Sequence, residues 1–405
     1  MTDDERHAHV VMLLSNGYTP DRRVQKEAHT LAAAGYRVTI IAWDRECSAP
    51  VHEIEEVPEA LAVVLPRHGA EKALPVSIIR IQVAAGYGTG RQLLPKMLLF
   101  WWRALHELRR MQPTVVHAHD LDTLPLAYGY GRLANVPVIF DAREFYPGMV
   151  RDNVGEGMSR ALEIVEQALV PRVAAVVTVG ARLAAHYQAM GGRVWIVHNS
   201  HPLPDLNELT PLGREKRRAL GVPEDVLLVT YVGMWTADRL IAPLLDAVVN
   251  LDNVWLAVGG DGPQRAAIQA AADRCERIRV LGWVPPEEVL TVVSAGDAVY
   301  YGLDARNANS PYFMPNLAFH ALAAGRPLLV TPGSEIAEVV QETGCGIVME
   351  EATGEAAQHA LERLSDVAYR VTLRQRARFI CQEQYNWPYA AERLLALYRH
   401  TQMRI

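Results

Sequence analysis

The chain has 405 residues, half of them hydrophobic and 21% charged, the balance of a globular protein too long for one ordinary core. Forty Lys and Arg against 46 Asp and Glu give a net charge of −6, so nothing in the charge balance invites nucleic acid, and none is expected as a partner. Four scattered cysteines, Cys47, Cys275, Cys345 and Cys381, form no C-x-x-C pair, which argues against a zinc site or disulfide frame and fits a reducing compartment.

The opening MTDDERHAHV lacks a basic region followed by an apolar stretch, and no apolar run approaches the ~20 residues that span a bilayer. A cytoplasmic protein is therefore expected. Strand-like and helix-like runs then alternate, the pattern of parallel sheets covered on both faces. Strands are expected at Val10–Leu14, Arg37–Ala42, Ser77–Val83, Val115–His119, Val136–Asp141, Val173–Val179 and Val194–His198, with helices starting near Asp21, Leu93, Leu124, Met158 and Ala181. Residues 45–75 have no clear period and read as an excursion at the sheet edge. The segment from Arg91 to Met111, RQLLPKMLLFWWRALHELRRM, is basic with aromatic and leucine residues at helical spacing. It suits a core-packed helix, or a peripheral contact with the inner membrane face through residues 91–111.

At NSHPLPDLNELTPLG, Asn199 to Gly213, three prolines and no hydrophobic period mark a linker. A second alternating set follows, with strands at Leu227–Val232, Val254–Val258, Ile278–Leu281, Ala298–Gly302, Pro327–Thr331 and Gly346–Met349. The tail YNWPYAAERLLALYRH, Tyr385 to His400, reads as an amphipathic helix behind a Trp-Pro corner. The expected fold is α/β, with Rossmann-like domains over 1–203 and 204–385 and a C-terminal helix, 386–405, that crosses back to the first. Ligands bind beyond the carboxyl ends of strands in such sheets, so two facing sheets create a central cleft.

The loops after the strands hold the candidate site residues. After the first strand, Gly17 allows close backbone approach and Asp21 is placed to cap a helix. In VVHAHDLDTLPLA the two histidines, His117 and His119, share one face of a strand. With Asp120 they could hold a metal, but no further ligand lies at a suitable spacing, and none is assigned. Packing of His117 with exposure of His119 and Asp120 is the expected division. In VPVIFDAREFYPGM, Arg143 is either an anion clamp or the partner of Asp141 or Glu144, and it cannot serve as a base. The turn AVGGDGPQRAAI, with Gly260 and Gly262, lacks the Lys-Ser/Thr ending of a phosphate loop. In NSPYFMPNLAFHALAAGRPLLVTPGSEIAEVV a helix starts near Pro315 and Asn316, and its unpaired N–H groups and dipole welcome phosphate.

Nearly the whole chain, in order, resembles the family 4 glycosyltransferases of GT-B fold, the matching segments being DRRVQKEAHTLAAAGYRVTII, the strand-ending His-x-His-Asp, FDAREFYP, YVGMWTADRL, the Gly-x-Gly-Pro turn, LGWVPPEEV and the stretch from Asn309 to Val340. The resemblance implies a retaining, metal-independent transfer of a sugar from a nucleotide-sugar, UDP- or GDP-linked, to an unidentified acceptor, without a cofactor. It further implies that Arg239 is the main phosphate ligand after the turn at Gly233, that Trp283 and Val284 neighbour the base, and that His320 stands where relatives grip the ribose with glutamate. Arg306 could add charge to the diphosphate. His119, Asp120, Arg143 and Arg239 form the catalytic set, with Gly17, Gly260, Gly262, Pro315 and Asn316 at the donor. The chain departs from the family pattern at Met234, Leu317, His320 and Arg143. Those departures support an alternative, a catalytically degenerate GT-B protein acting as a binding or partner subunit. A nicotinamide dehydrogenase is disfavoured because the G-x-G-x-x-G fingerprint is missing.

Overall fold

The computed structural model describes residues 8–19, 21–58, 73–86 and 93–402, which fall into two compact units. The first contains Met1–Val197 and Ala390–Ile405, the second His198–Tyr389. In the first, the strands are β1 (His9–Leu14), β2 (Arg37–Asp44), β3 (His52–Glu55), β4 (Val76–Gln82), β5 (Val115–His119), β6 (Val138–Ala142), β7 (Ala175–Thr178) and β8 (Val194–Ile196). They form one sheet in the order β3-β4-β2-β1-β5-β6-β7-β8, and only β3 runs antiparallel to its neighbour. Its helices are α1 (Arg22–Ala33), α2 (Leu93–Met111), α3 (Leu124–Ala134), α4 (Tyr146–Val154), α5 (Glu156–Leu169) and α6 (Ala181–Ala189). The strand order reverses direction between β1 and β5, the switch point at which such sheets bind ligands.

The second unit has helices α7 (Leu206–Ala219), α8 (Ala242–Asn250), α9 (Arg265–Arg274), α10 (Val289–Ala295), α11 (Asn316–Ala323), α12 (Glu335–Thr343), α13 (Gly354–Ser365) and α14 (Val367–Glu383). Its strands are β9 (Leu227–Met234), β10 (Val254–Asp261), β11 (Ile278–Gly282), β12 (Ala298–Tyr301), β13 (Leu328–Val330) and β14 (Gly346–Val348), all parallel, in the order β11-β10-β9-β12-β13-β14. Here the switch point falls between β9 and β12. The last helix, α15 (Trp387–Gln402), begins in the second unit, and its residues from Ala390 onward belong to the first.

Three elements differ from the sequence expectation. The linker expected from Asn199 to Gly213 gives way at Leu206 to α7, because the Asp205 side chain caps the Asn207 N–H at 2.8 Å and Leu209 and Gly213 are buried. Gly213 lies so close to α10 that an added Cβ would sit 2.7 Å from the Ser294 carbonyl oxygen, so this helix is fixed by contact despite Pro211. The excursion over residues 45–75 contains the edge strand β3, and its residues 59–72 lie outside the described ones. A helix also precedes the one expected near Met158, since Pro147 occupies a first-turn position of α4, where its missing N–H costs nothing.

Within the first unit, α15 buries Leu394, Leu395, Leu397 and Tyr398 completely or nearly so, and Arg393 donates to the Ile196 carbonyl at 2.8 Å. Truncating such a side chain removes burial and leaves a cavity. Leu394→Ala should therefore lower stability by about 2–5 kcal/mol in urea denaturation. A loss below half a kcal/mol would mean that this helix is not part of the core.

Candidate active site

In the first unit the loops after β1, β5 and β6 meet at the switch point. His119 and Asp141 are register partners on β5 and β6, and His119 Nδ1 lies 3.0 Å from Asp141 Oδ2. Both side chains are fully buried. Asp141 is further held by Arg23 from α1, whose Nε and terminal nitrogen donate to its two oxygens at 2.9 and 2.7 Å, while the other terminal nitrogen donates to the Val197 carbonyl. Burial opposes ionisation of Asp141, but Arg23 and His119 outweigh it and hold its carboxyl well below the usual range. Donation to an ionised carboxylate places a proton on Nδ1 of His119.

His117 stacks on His119 at 4.4 Å between ring centroids, and its Nδ1 meets the Tyr398 hydroxyl at 2.8 Å. Burial, with His119 beside it, pushes the His117 imidazole well below its ordinary pKa, so it is neutral. Ligand atoms of Glu27, His117, His119 and Asp141 all lie within 4.8 Å of one another. Such a donor set could surround a cation, and a cation is already there: the Arg23 guanidinium stands 3.1 Å from Glu27 as well as on Asp141. Neither Glu27 nor Asp141 was grouped with the histidines from the sequence.

The structure corrects two expectations in this unit. His119 is not exposed but buried as deeply as His117. Asp120, at the left-handed φ of 64°, is partly exposed as expected and pairs with Arg143. Arg143 in turn grips Asp120 and, at 2.9 Å, Asp21, rather than Asp141 or Glu144. Burial disfavours its charge, yet these two carboxylates keep it well above the ordinary guanidinium range. Arg143 is therefore a bridge between two acids and not a vacant anion clamp. Asp21 caps α1 through the Val24 N–H at 3.2 Å and also accepts from Asn16. An added Cβ on Gly17 would meet nothing within 4 Å, so packing does not require glycine there, and its carbonyl accepts from Arg80 at 3.1 Å.

In the second unit the corresponding loops follow β9, β10, β11 and β12. Gly260 has φ +133°, and a Cβ there would lie 1.8 Å from the Gly233 carbonyl oxygen, so only glycine lets β9 and β10 approach at this point. Gly262 similarly makes room for the backbone of Trp235, whose buried indole donates to the Gly259 carbonyl at 3.2 Å. Arg239 follows in a short 3-10 turn, its guanidinium 4.7 Å from the Phe313 ring centre and 5.6 Å from that of Tyr301. Phe313 stands two residues before Pro315, which is the N-cap of α11. Aromatic faces and Asp238 at 3.6 Å thus hold a cation beside the start of a helix.

The remaining donor-side expectations divide. Trp283 is 73% exposed, which rules out a core aromatic, whereas the Val284 side chain is buried and leaves only its backbone for a ligand. Asn316 opens α11 and accepts from Asn199 at 2.7 Å. Arg306 is 89% exposed and already forked onto Asp304 at 2.7–3.2 Å. His320 lies against His201, with centroids 3.8 Å apart, and its Nδ1 meets the Asn316 carbonyl at 2.9 Å, so that nitrogen donates. Leu317 belongs to the buried face of α11, while Met234 is 64% exposed at the end of β9. Sequence reasoning missed Trp235, Phe313 and Tyr301, which position the glycine turn and Arg239.

Comparison with known proteins agrees with this layout. Residues 19–200 match the family model described as Glycosyl transferase 4-like domain, and residues 227–366 match that of Glycosyl transferases group 1. A lipopolysaccharide core biosynthesis glycosyltransferase, LpsD of Rhizobium meliloti, is 22% identical over 247 residues. That alignment covers 60% of this chain and spans 62% of the relative's length. A sucrose-phosphate synthase from Thermosynechococcus elongatus superposes with a TM-score of 0.77 at 18% identity, covering 98% of this chain and 100% of the other. Anabaena HepE in complex with UDP-glucose gives 0.68 at 14% identity, covering 97% and 100%. The likeness to these structures is one of fold.

The buried cluster makes a pH-dependent prediction. Burial raises the Glu27 carboxyl from 4.5 to about 7, against the opposing pull of Arg23. Because the folded value lies above the unfolded one, the stabilisation is complete below pH ~4.5 and is lost as pH rises through about 7. Glu27→Gln imitates the neutral acid, so relative to the parent it should gain about 2–3 kcal/mol in chemical denaturation between pH 5 and pH 8. Parallel pH profiles for the two proteins would show that Glu27 does not titrate in this range.

Proposed function

Since the chain belongs to the family 4 glycosyltransferases of GT-B fold, we propose that it is a retaining, metal-independent enzyme that moves a sugar from a nucleotide-sugar to an acceptor. The observation that carries this reading is Arg239, held by Phe313 and Tyr301 beside the N-terminus of α11. When the bond from the sugar to the diphosphate breaks, negative charge grows on the departing oxygen. A fixed guanidinium and a helix N-terminus stabilise that charge without reorganisation, so no metal or other cofactor is needed.

The other donor contacts follow from the geometry of the second unit. The exposed Trp283 ring offers a face on which a base stacks, and the backbone at Gly233, Gly260, Gly262 and Val284 approaches it without side-chain hindrance. Nε2 of His320 accepts from one ribose hydroxyl, where a carboxylate would accept from two. Asn316 and Arg306 complete the polar surroundings. HepE is known in complex with UDP and with UDP-glucose, which favours a UDP-linked donor over a GDP-linked one. On the acceptor side, Asp120 is presented by Arg143, with His119 and Asp141 behind it, and the Gly17 loop adjoins them.

The competing reading, a degenerate GT-B protein serving as a binding subunit, draws on Met234 and Leu317, which bring no charge to the donor. Titration calorimetry separates the two. Arg239→Ala should weaken UDP binding at least tenfold and leave uridine binding unchanged, since removal of a charge-assisted contact costs about 1.5–3 kcal/mol. Equal losses for both ligands would contradict a phosphate role. Absence of any nucleotide or nucleotide-sugar binding in the parent would favour the degenerate subunit.

Among the described residues no helix is long and apolar enough to cross a membrane. Yet α2 has two apolar stripes. Phe100, Ala104 and Leu108 are buried, whereas Leu94, Leu98 and Trp102 recur every fourth residue on the exposed side, with Trp102 at 68% exposure. Lys96, Arg103, Arg109 and Arg110 flank them, an arrangement that supports peripheral docking on an anionic bilayer. The protein should co-sediment with phosphatidylglycerol-containing vesicles at low salt, and Leu98→Ser with Trp102→Ser should abolish this. Indifference to either the anionic lipid or the double substitution would retire the membrane contact.

A further inference from the structure

At the amino ends of β6, β7 and β8, opposite to the carboxyl ends that carry His119 and Asp141, the first unit contains a cavity of about 380 Å³. Arg132 from the last turn of α3, Arg172 from the turn after α5 and Arg193 before β8 line it, with His400 of α15. No carboxylate lines this cavity, and none of the three arginines forms an ion pair among the described residues. In a chain of net charge −6, three guanidinium groups around one opening without a carboxylate among its lining residues concentrate positive charge there.

One wall is apolar. Val136, Pro137, Val138, Pro171 and Val173 form much of the lining. Gly131 packs so closely that an added Cβ would fall 2.5 Å from a Val138 methyl, and Asn135 holds the chain reversal at φ 56°. His400 is braced by Trp195, with ring centroids 6.0 Å apart. The volume is several times that of a bare phosphate and falls in the range of small-molecule sites. Guanidinium forks match phosphate oxygens two at a time, and their combined charge suits a dianion better than a monoanion.

We propose that this cavity binds a small phosphomonoester, a sugar phosphate of hexose size, with its phosphate on Arg132, Arg172 and Arg193 and the C–H face of its ring on the Val-Pro wall. The site is separate from the donor chemistry, because it lies wholly in the first unit and at the opposite end of its sheet. It does not rest on the proposed transferase activity.

Titration calorimetry on the full chain, with glucose 6-phosphate, inorganic phosphate and glucose as probes, tests this assignment. Glucose 6-phosphate should bind more tightly than phosphate, and glucose should not bind. Arg172→Gln and Arg193→Gln should each weaken glucose 6-phosphate at least tenfold, while Arg239→Ala, in the other unit, should not. Because Arg172 also donates to the Ala168 carbonyl, Arg132→Gln provides an independent variant should Arg172→Gln fold poorly. No binding of glucose 6-phosphate or phosphate, binding unaffected by the three substitutions, or loss through Arg239→Ala alone would overturn the assignment. Binding of anionic vesicles, but not soluble phosphates, through these arginines would also overturn it, in favour of a lipid headgroup surface.

Discussion

A guanidinium taken wholly out of water must be answered by carboxylates, and Arg23 meets that demand by gripping both oxygens of Asp141 while donating to the carbonyl of Val197. One side chain thus ties α1 to β6 and to the chain leaving β8. Breaking such a buried pair by removing one partner costs about 3–5 kcal/mol, so the arrangement admits little variation. Its geometry also dictates the neighbours. With Asp141 held ionised, His119 must donate to it, and the stacked His117 turns to the Tyr398 hydroxyl for its own partner. The outer layer repeats the principle at partial exposure, where Arg143 joins Asp21 and Asp120 across two loops.

The second unit positions its cation by different means. Its glycine turn lets two strands and the Trp235 backbone come closer than any side chain would allow, and the 3-10 turn that follows delivers Arg239 against aromatic faces. Rings constrain where the charge sits without neutralising it, whereas a carboxylate partner would do both. The contrast with Arg23 and Arg143 is one of degree: each of those arginines joins two carboxylates, while Arg239 rests on two rings and the single carboxylate of Asp238 at 3.6 Å.

Much of this was legible in the sequence. The parallel strands declare themselves because they are buried on both faces and read as apolar runs; Val115–His119 agrees to the residue. The glycine turn and the helix at Pro315 were equally plain. What escaped were elements disguised by proline and contacts made across sequence. Pro147 and Pro211 look like breakers, yet one opens α4 and the other is carried inside α7. Arg23 and Asp141 are 118 residues apart, and no spacing rule links them. For the same reason His119 looked accessible, since only the packed sheet shows it fully buried beside Glu27 and Asp141. The arginines of the cavity come from α3, the turn after α5 and the approach to β8, so no local run of basic residues announces them.

The bond between His117 and Tyr398 has a consequence for biosynthesis. His117 is on an inner strand of the first unit, but its partner is synthesised only after the whole second unit, as are Leu394 and Leu397, which fill the same core. The second unit, by contrast, draws on a single unbroken stretch of chain. During translation it can finish while the half that was made first still waits, with a polar strand position and an apolar groove unsatisfied. Order of synthesis and order of completion are therefore reversed, and the nascent first half is the part that most needs a chaperone's cover.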